Sequence, residues 1–531
     1  MNSGSRVEPV KLAPNVERAL IVLILLLSVA FRLYALTDDI MYDPAVYAQD
    51  AHNLLNGTFR LNTDSWYSHR LPVLVPVALA YAALGVRAIS TNLWPLLLSI
   101  LQIIVIVWLG SRWLGRNVGI LAGLLAAIMP LDVIYSGILS PDAVIAAFLT
   151  FSVAFWISGF EGRSAPSRSL LFLSGLFSGI AVATRAYALL IALFFAGYAI
   201  WRKASLRNCL WWCLGIASVA VPVVLLYSLV TGDPLFSLRA MTSFYGAPER
   251  SEGMRLLYYP RLILSLKSYT GLFALFFTVI AVWGLVRPTR RRLVLLAWMA
   301  PILLYLQFGS MSFHSYVPIF KRVRFLTPFT APAALLAALV ILEELSLVAG
   351  KIAGALKLKG AAGLGRALLV SIVLVLFANS LWIVRTHRIG HAAIAVNFRK
   401  TVDVLRTDRS IPVLFDHWRT AIRFGYYFGF EEGSHLYEGA DETQRMVRGG
   451  CTANTRLGYL KWYEDPSQIP DAFVVLEDGI LSDAEKASIA DPTRSSFPAK
   501  DIPFYCQNPP QSWELLGRFG TFRVFRTHPG T

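Results

Sequence analysis

ALIVLILLLSVAFRLYALTDDIMYDPAVYAQDAHNLLNG, residues 19–57, is the stretch on which the fold turns. Its first part, 19–36, is an apolar run close to the roughly twenty residues that cross a bilayer core. It is too long for the apolar region of a cleavable signal, and no small-x-small cleavage site follows cleanly. It is therefore expected to stay as a first span. Directly behind it stand Asp38, Asp39 and Asp43, with Pro44 beside the last. From there 45–56 reads as a short amphipathic helix stopped by Gly57.

Working outward, comparable runs recur at 91–110, 117–134, 139–159, 170–183, 186–200, 209–230, 262–286, 293–308, 325–342 and 367–384. The chain has 531 residues, 56% hydrophobic and only 15% charged. A soluble protein carries nearer about a quarter charged, so lipid must solvate part of this surface. The expected fold class is an α-helical polytopic membrane protein with about eleven transmembrane helices, followed by a small soluble α/β domain. The membrane domain is expected over 1–385 and the soluble one over 386–531. In the latter, strand-like runs at 411–415, 472–476 and 522–525 alternate with polar stretches.

Basic clusters set the topology. Arg6, Lys11 and Arg18; Arg112 and Arg116; Arg163 and Arg168; Arg202, Lys203 and Arg207; Arg287 and Arg290–Arg292; and Lys351, Lys357, Lys359 and Arg366 all fall on one side if the N-terminus is cytoplasmic. The loops 37–90 and 231–261 and the terminal domain then lie outside. In loop 37–90, the apolar stretch 71–84 is short for a span and suits the membrane surface. The same distribution argues against nucleic acid as a partner despite the net charge of +16, because no soluble domain concentrates it. Cys209 and Cys213 sit at helical spacing as packing residues; Cys451 and Cys506 either form a disulfide outside the cytosol or remain two thiols.

Two anomalies carry chemistry. Lys321, Arg322 and Arg324, with Arg70, Arg185, Arg239, Arg255, Arg261 and Lys267, lie at or near the outer side, where orientation rules disfavour cations. Arg185 interrupts an apolar run. Phosphate is the natural ligand for such arginines; anchoring to headgroups or pairing with loop acids is the alternative. The second anomaly is acidic. Asp43 and Asp142 are each either a helix cap beside a proline or a general base for an acceptor hydroxyl. Asp38, Asp39 and Asp43 together offer oxygen ligands to a divalent cation, although no metal is expected to be essential.

Tyr42-Asp43-Pro44-Ala45-Val46-Tyr47-Ala48, running on through Ala51, Leu54, Leu55 and Gly57, resembles the first-loop signature of GT-C glycosyltransferases. The similar branch holds the protein O-mannosyltransferases and the aminoarabinose transferases of lipid A. His69-Arg70-Leu71-Pro72 to Gly85, Ser140-Pro141-Asp142, Gly175 to Arg185 and Arg324-Phe325-Leu326-Thr327-Pro328 resemble later motifs of that family, in order over the first 345 residues. The family commonly has Glu where this chain has Pro44. The resemblance implies a transferase that takes a sugar from a polyprenyl-phosphate donor, with no essential cofactor. Asp43 and Asp142 are its expected catalytic residues; Tyr47, His69, Arg70, Arg185, Lys321, Arg322 and Arg324 are its expected substrate contacts, the outer ends of the spans bringing Asp43 toward the arginines. It also implies a bacterial inner membrane, a periplasmic active site covered by the terminal domain, membrane lipid as a partner, and a glycan, glycolipid or protein acceptor in the cell envelope. A flippase of lipid-linked saccharide and a non-catalytic envelope scaffold are the competing readings. Internal repeats would favour the flippase; none is visible.

Overall fold

The structure is a computed structural model that describes residues 13–61, 65, 67–161, 165–245, 257–265, 268–310, 316, 318–319, 321–355, 361–430, 456–460, 463, 465–478 and 509–528. Cys451, Cys506, Arg255 and Lys267 lie outside the described residues. The chain divides into two compact units. One comprises Met1–Leu36, Trp94–Ser228 and Gly253–His387; the other comprises Thr37–Leu93, Leu229–Glu252 and Arg388–Thr531. Loops expected to belong with the spans thus group with the terminal domain.

The first unit is helical. Among the described residues, six helices are long and apolar enough to cross a membrane: Ala88–Leu114, Pro141–Phe160, Leu206–Thr231, Arg290–Phe308, Val323–Leu345 and Gly363–Leu405. A seventh is counted if Arg116–Ile128 and Pro130–Ser136, bent by 60°, form one span. Expected runs 170–183, 186–200 and 262–286 meet the shorter apolar helices Arg168–Thr184, Ala186–Trp201 and Leu272–Val286. The expected first span is the 22-residue helix Pro14–Ala35. The protein is multi-pass, with fewer full-length spanning helices than apolar runs. Breaks account for part of the difference, although the unbroken helix Pro14–Ala35 is also not among the six. At Met129 the backbone turns extended before Pro130, which has no N–H to continue the ladder and restricts its predecessor.

Two helices of this unit cross on glycines. A Cβ on Gly175 would meet the Trp212 carbonyl at 2.0 Å, and one on Gly215 the Phe172 carbonyl at 2.1 Å. Helices Arg168–Thr184 and Leu206–Thr231 therefore touch backbone to backbone, the contact small residues permit in lipid. Elsewhere Arg292, buried from a cluster expected to be a solvated basic loop, donates to Glu343 (2.7 Å) and Glu344 (2.8 Å), pinning Arg290–Phe308 to Thr330–Ala355.

In the second unit the helix expected at 45–56 runs Tyr42–Leu55. Its stop is as expected, since Gly57 takes φ +73°. The apolar stretch 71–84 is the helix Leu71–Leu84. Among the described residues the terminal sheet has five strands: β1 Val413–Phe415, β2 Leu457–Tyr459, β3 Ala472–Glu477, β4 Glu514–Phe519 and β5 Phe522–Thr527. Their order is β2-β1-β3-β5-β4. β1 runs parallel to β2 and β3, whereas β5 is antiparallel to β3 and β4. Strands β1, β3 and β5 were legible as buried runs; β2 is three residues long and β4 faces largely outward.

The last apolar run does not end near 384. The helix continues unbroken as Ala361–Leu405, 45 residues, and its C-terminal turns belong to the second unit. There Phe398, Val402 and Leu405, at the i, i+4, i+7 spacing of one helical face, enter the core with Phe415, Phe424 and Phe522.

Gly215→Leu should lower thermal stability in detergent by about 1–3 kcal/mol or more, because backbone cannot yield as a side chain can. An unchanged melting temperature would contradict the crossing.

Candidate functional site

In the first unit three helix ends converge. Pro141–Phe160 begins after Ser140, whose hydroxyl accepts the Asp142 N–H (3.2 Å) and donates to Asp142 Oδ2 (2.8 Å). Ser140 is thus the cap, and the alternative reading of Asp142 as a capping residue is corrected. The Asp142 carboxylate stays free for other partners. It is fully buried, with Arg185 Nη2 at 3.1 Å and Arg324 Nε at 3.2 Å.

Both arginines sit where helices stop. Arg185 follows Arg168–Thr184 with extended backbone, before the tight turn Ala186–Leu190. Arg324 lies in the turn Val323–Phe329, directly before Thr330–Ala355. Thr327 ties that turn down by donating to the Asp142 carbonyl at 3.0 Å. The Arg185 guanidinium also lies 4.8 Å from the Phe325 ring centre.

Two guanidiniums thus face one buried carboxylate. Arg185 is 7% exposed, and its Nε has no hydrogen-bond partner among the described residues. A buried donor without an acceptor is costly. An anion with two oxygens in a plane, such as a phosphodiester, matches the arginine fork.

Two residues of the expected set lie just ahead of Arg324. Lys321 is buried, and desolvation pushes its ammonium pKa down. Arg322 is exposed and precedes the turn, its carbonyl accepting from the Tyr259 hydroxyl at 3.4 Å. Sequence reading missed a second ionisable pair in this unit. Arg32, fully buried, donates to Ser99 (2.7 Å), Ser28 (2.8 Å) and the Ala127 carbonyl (3.2 Å), which lies at the end of Arg116–Ile128. Asp132, beyond the same break, accepts from Thr330 at 3.0 Å. Single charges inside apolar runs were the available signal.

In the second unit Asp43 is in the first turn of Tyr42–Leu55, and the residue flanking the helix start is Met41, with no side-chain cap. The capping alternative for Asp43 is therefore corrected too. Its carboxylate accepts from the Tyr67 hydroxyl at 2.7 Å. Tyr47, one turn further, is buried; its ring meets Tyr67 edge-on at 5.1 Å, and the Arg70 guanidinium lies 5.5 Å from its centre. The Tyr47 hydroxyl has no hydrogen-bond partner among the described residues. Asp50, one turn beyond that, accepts from Ser68 at 3.0 Å. The i, i+4, i+7 face Asp43–Tyr47–Asp50 thus packs on the turn that also carries His69, whose ring meets Phe236 at 5.7 Å. Sequence reading singled out neither Tyr67 nor Asp50.

Other expected cations and acids have local partners. Arg239 pairs with Asp233, and Arg261 lies in the last turn of the helix Tyr258–Ile263. Asp38 pairs with Arg399, and Asp39 with His391 and Arg423, so the three loop aspartates have separate partners. Among the described residues no group of three His, Cys, Asp or Glu is placed to hold a metal ion.

Residues 72–227 match the model of a family described as dolichyl-phosphate-mannose-protein mannosyltransferase. That stretch contains Asp142 and Arg185 but neither Asp43 nor Arg324. Sequence comparison with curated proteins yields no match. Among solved structures, ArnT from Cupriavidus metallidurans bound to undecaprenyl phosphate aligns over 96% of this chain and 98% of its own, at 14% identity and TM-score 0.58. Its apo form aligns over the same shares at 13% identity and TM-score 0.56. The Archaeoglobus fulgidus oligosaccharyltransferase, apo, aligns over 78% of this chain and 64% of its own, at 12% identity and TM-score 0.52. The fold is that of ArnT, and the family match adds a sequence likeness over residues 72–227.

Burial pushes the Asp50 carboxyl up to about 7, with the Ser68 hydrogen bond opposing. A raised value means the fold favours protonated Asp50, so its contribution is complete below about pH 4 and is lost as pH rises to about 7. Asp50→Asn should therefore gain stability over the wild type between pH 4 and 8, by up to roughly 4 kcal/mol. A difference in melting temperature that is constant across that range would contradict this placement.

Proposed function

We propose that this GT-C-fold protein is a membrane glycosyltransferase that moves a sugar from a polyprenyl-phosphate carrier to a hydroxyl of a cell-envelope acceptor. The acceptor class is a glycolipid, polysaccharide or protein, reached on the periplasmic face of a bacterial inner membrane. The observation that carries the reading is the Arg185–Asp142–Arg324 group, two guanidiniums on one buried carboxylate, with no hydrogen-bond partner for Arg185 Nε among the described residues. It offers a fixed recognition element for a lipid phosphate. The bound undecaprenyl phosphate in ArnT and the dolichyl-phosphate donor in the matched family's description support the choice of carrier.

The roles follow from charge. The donor phosphodiester carries one negative charge. Asp43 takes the proton from the acceptor hydroxyl, and that oxygen bonds to the anomeric carbon. The bond from that carbon to phosphate oxygen breaks, its electron pair staying on phosphate, which leaves a carrier monoester with a second negative charge. Arg185 and Arg324 stabilise the charge as it develops. Asp142, paired with both arginines, holds them in register; this differs from the catalytic role expected for it. Lys321 is a further cation of the unit that holds Arg185 and Arg324, and Tyr47, His69 and Arg70 are the proposed substrate contacts of the unit that holds Asp43. A carrier phosphate is already a leaving group, so the scheme uses no resident cofactor.

Purified protein given a polyprenyl-phosphate sugar and an acceptor extract should release carrier phosphate only as product forms. Asp43→Asn should cut turnover by at least about 100-fold with melting temperature unchanged. Arg185→Ala should raise donor KM about tenfold or more. Full turnover in Asp43→Asn removes that residue from the mechanism. Saccharide translocation without transfer would instead support the flippase reading.

A further inference from the structure

The terminal domain grips the segment that leads into the Asp43 helix. Arg423, on the helix Trp418–Tyr427, sends each guanidinium nitrogen to a different partner. Nε donates to the Ile40 carbonyl (3.0 Å), Nη2 to Asp39 (3.2 Å) and Nη1 to Glu477 at the end of β3 (3.3 Å). Its guanidinium lies 4.2 Å from the ring centre of Phe398, a residue of the domain core. Around it, His391 Nδ1 lies 2.6 Å from the other Asp39 oxygen, Tyr427 donates to the Asp38 carbonyl at 2.8 Å, and Arg399 pairs with the Asp38 carboxylate. Further along the helix, the His52 ring meets Phe430 at 5.2 Å. Thr420 donates to Glu477 at 2.9 Å, holding the acceptor that orients Arg423 from below.

Three consecutive residues, Asp38 to Ile40, are thus held through side chain and backbone together, and Tyr42 begins the helix two residues later. A helix start held at its entry has little freedom in its first turn, where Asp43 sits. We propose that Arg423 is a positioning residue for Asp43: by clamping Asp39 and Ile40 it makes the terminal domain part of the catalytic platform. This rests on the reading of Asp43 as the base. It goes beyond that reading because it assigns the soluble domain a role that a mere cover does not have.

The fork is what the arrangement requires. Lysine would keep the charge but cannot hold three separate acceptors in one plane. The test therefore compares full-length wild type, Arg423→Lys and Asp39→Asn for turnover, donor KM, melting temperature and backbone hydrogen exchange. Misplacing a reacting group by about 1 Å costs on the order of 100-fold. Arg423→Lys should thus lower kcat about 10- to 100-fold, with donor KM within about twofold. Exchange should rise at 38–46 but not in β3 or β5, and Asp39→Asn should do the same more weakly. Unchanged exchange at 38–46 would overturn the proposal whatever the activity. So would unchanged kcat, or exchange rising through the whole sheet as melting temperature falls. If wild type transfers no sugar at all, the functional reading fails, and the exchange result alone then decides whether the clamp exists.

Discussion

One carboxylate between two guanidiniums organises the first unit. Asp142 brings together a helix start, a helix stop and the turn before a third helix. Stability alone does not explain it. Buried ion groups are often no more stable than well-packed apolar residues of the same size, whereas losing one partner costs about 3–5 kcal/mol. Such a group fixes geometry at a risk to stability, which makes sense where fixed positive charge has a use. Two guanidiniums on one carboxylate, and an Arg185 Nε without a hydrogen-bond partner among the described residues, fit an anionic ligand.

Helix interruption is the shared device. Arg185, Met129 and the turn at Val323–Phe329 each break an otherwise apolar path. Every break releases backbone polar groups that lipid cannot satisfy. Buried side chains take some of them up, as Arg32 does for the Ala127 carbonyl and Thr327 for that of Asp142. Polar chemistry in such a protein therefore gathers where the helices are shortest. That is also why counting long apolar helices gives fewer spans than counting apolar runs.

Much of this was legible in the sequence because charge in an apolar run is conspicuous. Arg185 stood out that way, Arg324 stood out as a cation on the side where orientation rules disfavour it, and Asp43 and Asp142 stood out beside prolines. Local pattern could not tell a cap from a ligand: Ser140 caps where Asp142 seemed able to, and Met41 flanks the Asp43 helix without capping it. Asp50 was hidden because a lone acid on an amphipathic helix reads as solvent-facing, yet the turn at Tyr67–Arg70 buries it. Arg423 was illegible for a deeper reason. Its partners Asp39 and Ile40 lie almost four hundred positions away, and no periodicity encodes such pairing. The extent of the last helix was likewise hidden, since its second half changes from a lipid-facing to a core-packing pattern within one unbroken element.

The central claim concerns where a lipid phosphate is held. An experimental structure of the protein incubated with polyprenyl phosphate tests it most directly. The account predicts phosphate oxygen about 3 Å from Arg185 Nε, with Asp142 still joined to both arginines. Phosphate bound elsewhere, with Arg185, Asp142 and Arg324 unchanged, would contradict it.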